Sequence, residues 1–223
     1  DGAGRVLDAL PVDAEFLPTA DQSSGIRNNL AFESLTLTPD QQTLFVATEN
    51  ALFQDGPAAA VDQGSASRIV EYDLATGDAV AQYVYPTDPV AAAPVPEGGF
   101  ATNGLVELFA VDNQGTLLAL ERSFSVGVGN SIALYRVELQ GATDVSGVDA
   151  LPTEDDDGEI VPILDQPARK TLLLDLGELG IPLDNVEGMT FGPALADGRQ
   201  SLVLVSDNNF SDAQFTQLLA FAV

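Results

Sequence analysis

Three segments of the chain repeat one pattern of apolar and polar positions. They are FESLTLTPDQQTLFVATEN (32–50), VELFAVDNQGTLLALERS (106–123) and VEGMTFGPALADGRQSLVLVSDNN (186–209). Each begins with an apolar residue and Glu, alternates large apolar residues, turns through Pro, Asp, Asn or Gly, and resumes as a second apolar stretch. Alternation with a period of two indicates strands, and the turn residues between them indicate hairpins. The pattern therefore predicts three β-hairpins.

More apolar stretches follow each hairpin. A third strand is predicted at IVEYDL (69–74), IALYRV (132–137) and LLAFAV (218–223), and a fourth at AVAQYVY (79–85) and KTLLLDL (170–176). Repeats of four antiparallel strands are typical of β-propeller blades, and inserted loops explain why these repeats are longer than common propeller motifs. The sequence thus predicts an all-β fold with three four-stranded propeller blades.

The N-terminal stretch GRVLDALPV (4–12) has the pattern of an outer strand from an earlier blade. Three blades and a single strand cannot close a ring, and they would leave unpaired strand edges. We therefore expect residues 1–223 to form one propeller domain that is incomplete at its N-terminus. The expected whole is a larger, six-bladed ring, completed by a preceding segment or by a second copy of the chain.

The amino-acid composition disfavours or excludes several classes of function. The chain has 34 acidic and 8 basic residues, and this net charge of −26 disfavours binding to nucleic acids and anionic membranes. No apolar run is long enough to predict membrane insertion. The absence of Cys and His excludes Ser-His-Asp and Cys-His catalysis and His-ligated zinc within this chain. The acidic stretch TEDDDGEI (153–160) does not fit a calcium-loop template and predicts an inserted loop.

Acidic residues recur at the same two places in each hairpin. Glu33, Glu107 and Glu187 begin the first strands, and Glu49, Glu121 and Asp207 end the second strands. A hairpin brings these two places together, so we expect each acidic pair to lie at one mouth of the propeller channel. Clustered carboxylates favour a bound cation, and oxygen ligands without His or Cys suit Ca²⁺. The alternative is that each Glu caps backbone N–H groups and stays solvated.

The stretches GIRNNLAFESLTLTPDQQTLFVATENALFQDGP (25–57), LLALERS (117–123) and LLLDLGELGIPLDNVEGMTFGPALADGRQSLVLVSDNNFSDAQFTQLLAFAV (172–223) resemble the phytase-like domain family. This family is described as having the esterase-like activity of phytase. The resemblance implies an extracellular or periplasmic propeller that hydrolyses phosphate esters with Ca²⁺. The chain departs from the family pattern at Ser34, where a Gly usually follows the Glu.

Residue roles follow from this resemblance together with the acidic pairs. Glu33, Glu107, Glu187 and Asp207 are the expected Ca²⁺ ligands, and Glu49 and Glu121 the expected general bases or outer-shell groups. Arg27 and Arg122 would orient phosphate, although each could instead pair with Glu33 or Glu121. Asn29, Asn208 and Asn209 could act as oxygen ligands or as turn residues, with Asn29 and Asn208 the expected substrate contacts, and Lys170 is expected at the surface.

Two other functions remain open at this stage. A non-enzymatic propeller could use Ca²⁺ to rigidify its blades and bind a protein or glycan at its mouth. A lactonase or carboxylesterase could use the same metal on a different ester. A fold alone does not decide among these functions.

Overall fold

The chain folds into antiparallel β-sheets in a computed structural model that describes residues 2–6, 9–152 and 166–223. Blade 1 contains β1 (Phe32–Leu37), β2 (Thr43–Thr48), β3 (Ser65–Asp73) and β4 (Asp78–Thr87). Blade 2 contains β5 (Ala101–Ala110), β6 (Thr116–Ser125), β7 (Gly129–Glu138) and β8 (Arg169–Asp175). Blade 3 contains β9 (Asn185–Phe191), β10 (Ser201–Asp207) and β11 (Leu218–Ala222).

Each blade is a meander in which consecutive strands are neighbours. The described residues also form three short 3₁₀ helices: Ala14–Phe16 before β1, Phe53–Asp55 between β2 and β3, and Leu176–Leu179 between β8 and β9. The described residues form no α-helix. The prediction of an all-β fold with propeller-like blades is therefore confirmed. Blade 3 has three strands in the described chain, whereas blades 1 and 2 have four. The six-bladed ring and the segment or second copy that would complete it stay predictions.

Apolar layers hold the blades together face to face. Phe45 and Ile69 of blade 1 pack with Leu108 and Tyr135 of blade 2 in one buried cluster. A second cluster joins blades 2 and 3 through residues such as Ile132. The first strands of successive blades are in contact: β1 contacts β5, and β5 contacts β9. Blade 2 lies between blades 1 and 3, so its strands carry apolar residues on both faces.

The expected outer strand at residues 4–12 is wrong for the part that the structure describes, since residues 4–6 and 9–12 are not in a strand. This part of the chain instead approaches blade 1, where the Tyr72 hydroxyl donates to the Pro11 carbonyl at 2.8 Å. Phe16 follows and packs on Leu44 and Val70, on the face of blade 1 that points away from blade 2. The acidic stretch 153–160 lies outside the described residues.

Candidate functional site

A β-bulge interrupts the first hairpin of every blade and decides which side chains reach the site. The residue without a pairing partner is Glu33 in blade 1, Val106 in blade 2 and Glu187 in blade 3. A bulge inserts one extra residue in one strand, which re-aims the side chains that follow it. Glu33 and Glu187 are themselves the unpaired residues of their bulges, whereas Glu107 is the residue after the unpaired Val106.

The second strands show the same displacement. Thr48, Glu121 and Ser206 occupy the paired position directly before the bulge in their respective blades. The next residues along these strands are Glu49, Arg122 and Asp207, in the same order. Arg122 thus takes the place in blade 2 that an acid takes in blades 1 and 3. The expected pairing of Glu107 with Glu121 is wrong, because Glu107 pairs with Leu120 and Glu121 with Leu105.

These positions converge on a polar cavity of about 450 Å³ at the end of the inner hairpins. Its lining residues are Asn29, Glu33, Glu49, Arg122, Phe124, Asn130, Asn185, Glu187, Asp207, Asn209 and Gln214. Seven of the residues singled out in the sequence lie in this wall: Asn29, Glu33, Glu49, Arg122, Glu187, Asp207 and Asn209. The common mouth expected for all three acidic pairs therefore contains both acids of blades 1 and 3, together with Arg122 from blade 2.

The charges in the cavity are unbalanced. Arg122 Nη2 lies 3.2 Å from Glu187 Oε1 and 3.8 Å from Glu49 Oε1. Burial raises the pKa of Glu33, and the Glu187 carboxylate adds to this effect while Arg122 opposes it. Burial is also the main reason why the pKa of Glu49 rises to about 7; Arg122 opposes the rise, and Glu33 and Glu187 add to it. The single guanidinium of Arg122 thus compensates part of the negative charge of several carboxylates.

Glu49 is almost completely buried, with 3% of its surface exposed, yet its carboxylate has few partners. Among the described residues, its ion-pair partner is Arg122. The carboxylate passes close to Gly104, where an added Cβ would lie 2.3 Å from Glu49 Oε1. Gly104 therefore makes room for this side chain, and a glycine inside a strand pattern is a sequence signal for such a close approach.

Two further buried atoms of the lining residues lack partners. Neither Arg122 Nε nor Asn130 Oδ1 has a hydrogen-bond partner among the described residues. One is a donor and the other an acceptor, and a buried polar atom without a partner is costly unless a ligand or water meets it. These two atoms therefore provide unused hydrogen-bonding capacity. Asn130 lacked a recognisable signal in the sequence, because it lies in the third strand of its blade.

Glu107 lies elsewhere, between blades 2 and 3. Its carboxylate accepts hydrogen bonds from the backbone N–H groups of Leu108, at 2.9 Å, and Met189. Burial raises its pKa to about 7 even though both hydrogen bonds act in the opposite direction. Glu107 therefore links two blades and is not part of the cavity wall described above.

Glu121 belongs to a second buried cluster, between blades 1 and 2. Its carboxylate accepts hydrogen bonds from Tyr85 Oη at 2.7 Å, the Asp88 backbone N–H at 3.0 Å, Asn103 Nδ2 at 2.8 Å and Lys170 Nζ at 2.5 Å. Lys170 Nζ also lies 2.8 Å from Asp88 Oδ1. The expected surface position of Lys170 is wrong, because only 13% of its side chain is exposed.

Arg27 and Asn208 also lie outside the cavity wall. Arg27 donates through Nε to the Ala51 carbonyl at 2.9 Å, and its guanidinium lies 4.3 Å from the centre of the Phe53 ring. Asn208 accepts from the backbone N–H of Phe210 at 3.2 Å, as a turn residue does. Its neighbour Asn209 lines the cavity instead.

The cavity offers carboxylate and amide oxygens, which are the ligands that Ca²⁺ prefers. Geometry is less favourable, since no three acidic side chains in the described residues are arranged to hold one metal ion. Arg122 lies between Glu49 and Glu187, where it already neutralises part of their charge. The donor chemistry therefore fits a hard cation, while the arrangement of the carboxylates would have to adjust around it.

None of the helices in the described part of the chain combines the length and the hydrophobicity of a membrane span.

Comparison with curated proteins and with solved structures gives no match. The model of the phytase-like family, described as "esterase-like activity of phytase", matches residues 1–210. Since this match covers nearly the whole chain, the protein belongs to the phytase-like family.

Proposed function

We propose that the cavity hydrolyses phosphate esters with the help of Ca²⁺, in an extracellular or periplasmic setting. The observation that carries this proposal is Glu49, a buried carboxylate with a pKa raised to about 7 that faces a polar cavity beside Arg122. A general base works best when its pKa lies near the operating pH. Perturbed carboxylates of this kind concentrate at functional sites.

Glu49 would accept a proton from a water molecule as the water oxygen forms a bond to phosphorus. The bond between phosphorus and the ester oxygen would break, and the proton held by Glu49 would pass to the departing alkoxide, which leaves as the alcohol. Arg122 would bind a phosphoryl oxygen through its unpartnered Nε–H, and Asn130 Oδ1 would accept from a hydroxyl group or water in the cavity. Both contacts use hydrogen-bonding capacity that the folded chain leaves free. A hydrogen bond from a charged guanidinium is among the stronger ones in proteins.

The charge of the cavity supports the proposal of a bound cation. Glu33, Glu49, Glu187 and Asp207 face a single guanidinium in the wall, so a phosphate anion would be repelled. Glu33, Glu187 and Asp207 would hold Ca²⁺. When bound, Ca²⁺ would offset their charge and polarise a phosphoryl oxygen.

Glu107 and Glu121 are not assigned to the reaction. Backbone N–H groups of Leu108 and Met189 already occupy the Glu107 carboxylate, and several donors surround Glu121. We assign both residues to the joints between blades.

A carboxylic ester or lactone is a second candidate substrate. A neutral ester would not be repelled by the excess of carboxylates in the cavity. Arg122 would then stabilise the oxyanion that forms when water adds to the carbonyl group. The same Glu49 would accept the proton from water and return it to the alkoxide that leaves when the tetrahedral intermediate collapses and its C–O ester bond breaks.

The test compares hydrolysis of 4-nitrophenyl phosphate and 4-nitrophenyl acetate with CaCl₂ and with a chelator. We expect calcium-dependent phosphate release, lost in Glu187→Gln with no change in melting temperature. Glu138→Gln is the matched control, because Glu138 lies on β7 and forms exposed ion pairs with Arg136 and Arg169. Cleavage of the acetate without phosphate release would favour the second candidate. Stabilisation by CaCl₂ without turnover of either ester would favour a non-enzymatic propeller.

A further inference from the structure

The loop between β10 and β11 holds an aromatic ring in solvent beside the cavity. Asp207, Asn209 and Gln214 of this hairpin line the cavity, and Phe210 directly follows Asn209. Phe210 is fully exposed, at 102% of its reference surface. A single exposed apolar side chain is ordinary, but a whole aromatic ring directly after a residue of the cavity wall is a large apolar surface in contact with water.

The backbone that presents this ring is strained. Asn209 has a φ of 50° and Phe210 a φ of 53°, so two consecutive residues lie in the left-handed region. Asn tolerates this region, whereas a bulky residue such as Phe rarely adopts it. Such conformations persist where the surrounding structure imposes them, and they concentrate at ligand-binding sites.

Hydrogen bonds hold the loop in place on both sides of Phe210. The buried Asp184 carboxylate accepts from the Phe215 backbone N–H at 2.7 Å and from Gln214 Nε2 at 3.1 Å. Ser206 Oγ donates to the Phe215 carbonyl at 2.8 Å. Asp207 Oδ1 accepts from the Asn209 backbone N–H at 3.0 Å. The exposure of Phe210 is therefore imposed by an anchored loop.

We propose that Phe210 is a specificity-determining residue that packs against the organic part of the ester bound in the cavity. This inference rests on the proposed function, and it specifies the substrate class: esters whose alcohol part carries an aromatic or other apolar ring face. The charged group would lie against Arg122 and the carboxylates, and the ring face would cover Phe210. Covering this ring would remove its apolar surface from water only when such a substrate is bound.

Two non-hydrolysable ligands test the proposal by titration calorimetry with CaCl₂ present. Phenylphosphonate carries a ring and methylphosphonate does not, while the charged group is the same. We expect Phe210→Ala to weaken phenylphosphonate binding about threefold to tenfold, as loss of an aromatic contact does, and to leave methylphosphonate binding unchanged. Leu173→Ala is the matched control, an exposed apolar residue on the outer strand β8, and should change neither affinity.

The proposal would be overturned if wild type and Phe210→Ala bound phenylphosphonate with equal affinity. It would also be overturned if Phe210→Ala lost the same affinity for both ligands, or if the wild type bound neither ligand. A native mass above one chain that Phe210→Ala reduces to one chain would also overturn it, because Phe210 would then lie in an interface. Phosphonates have no ester bond to hydrolyse. Selective binding of phenylphosphonate without any esterase activity would therefore support the role of Phe210 and reject the hydrolase. Turnover of the esters together with unchanged phosphonate affinities in Phe210→Ala would support the hydrolase and reject the role of Phe210.

Discussion

Glu49 directly follows β2 in blade 1 and Glu121 lies within β6 in blade 2, and the two carboxylates are buried almost equally, with 3% and 2% of their surfaces exposed. Their surroundings differ completely. Glu121 is held by two side chains, a backbone N–H and the Lys170 ammonium. Glu49 has Arg122 as its ion-pair partner in the described chain, at 3.8 Å, and it faces a cavity.

This difference separates a structural carboxylate from an available one. A buried carboxylate whose lone pairs are all engaged stabilises the joint in which it lies. A buried carboxylate with few donors is destabilised in its charged form, so its pKa rises. Glu49 shows this effect, with a pKa raised to about 7. Burial alone would therefore not have distinguished the two residues; the number of donors does.

The largest expected effect is on activity. We expect Glu49→Gln to lower kcat about 100-fold to 10,000-fold, the usual contribution of a general base, without lowering the melting temperature. The stability should not fall because Gln removes a poorly compensated buried charge. Steady-state kinetics and thermal melts of the same preparation check this. Glu121→Gln should instead lower the melting temperature, and the comparison fails if both variants lose activity and stability in parallel.

The second effect is on stability and concerns the ion pair of Glu121. Lys170→Met should lower the free energy of unfolding by about 3–5 kcal/mol, because it leaves the Glu121 carboxylate buried without its cation. Arg169→Met is a neighbouring control, since Arg169 forms an exposed ion pair with Glu138 and should contribute at most about 0.5 kcal/mol. Urea denaturation measures both values. Similar small losses in the two variants would show that the cluster around Glu121 is not a structural centre.

The smallest effect is the pH dependence of stability. The pKa of Glu49 is 4.5 in an unfolded chain and about 7 in the fold, so the folded state binds more protons between these values. The free energy of unfolding should therefore fall as pH rises from 4.5 to 7, by roughly 1–3 kcal/mol from Glu49. Urea denaturation of wild type and Glu49→Gln across this range isolates that contribution. Glu107 titrates in the same range, so the variant should retain part of the slope. Parallel curves for the two proteins would contradict the buried position of Glu49.

The hairpins and most of their third and fourth strands could be predicted from the sequence. The alternation of FESLTL and the turn TPDQQ specify a hairpin locally, and β1 and β2 form there. The apolar stretches on both faces of the later strands predict stacked sheets, and blades 1 and 2 do stack. The segment 4–12 misled the prediction because it carries the apolar pattern of a strand, whereas Val6, Leu10 and Val12 are exposed and the described part of the segment joins no strand ladder.

The candidate site could be predicted only in part, and the bulges explain why. The sequence aligns Glu107 with Glu33 and Glu187, since all three follow an apolar residue. In the fold the unpaired residue of blade 2 is Val106, so Glu107 and Glu121 turn toward the joints between blades and Arg122 turns toward the cavity. A shift of one residue moves every side chain of a strand to the opposite face of the sheet. No local pattern in the sequence of blade 2 indicates this shift.

The sequence by itself determined that the chain is all-β, that it repeats a hairpin three times, and that each repeat carries acids near the same end. These properties depend on residues a few positions apart, and local alternation and turn chemistry encode them. Only the tertiary structure decided which acids meet. The position of each bulge, and the donors around Glu49 and Glu121, come from strands that are distant in the chain and adjacent only after the blades have packed.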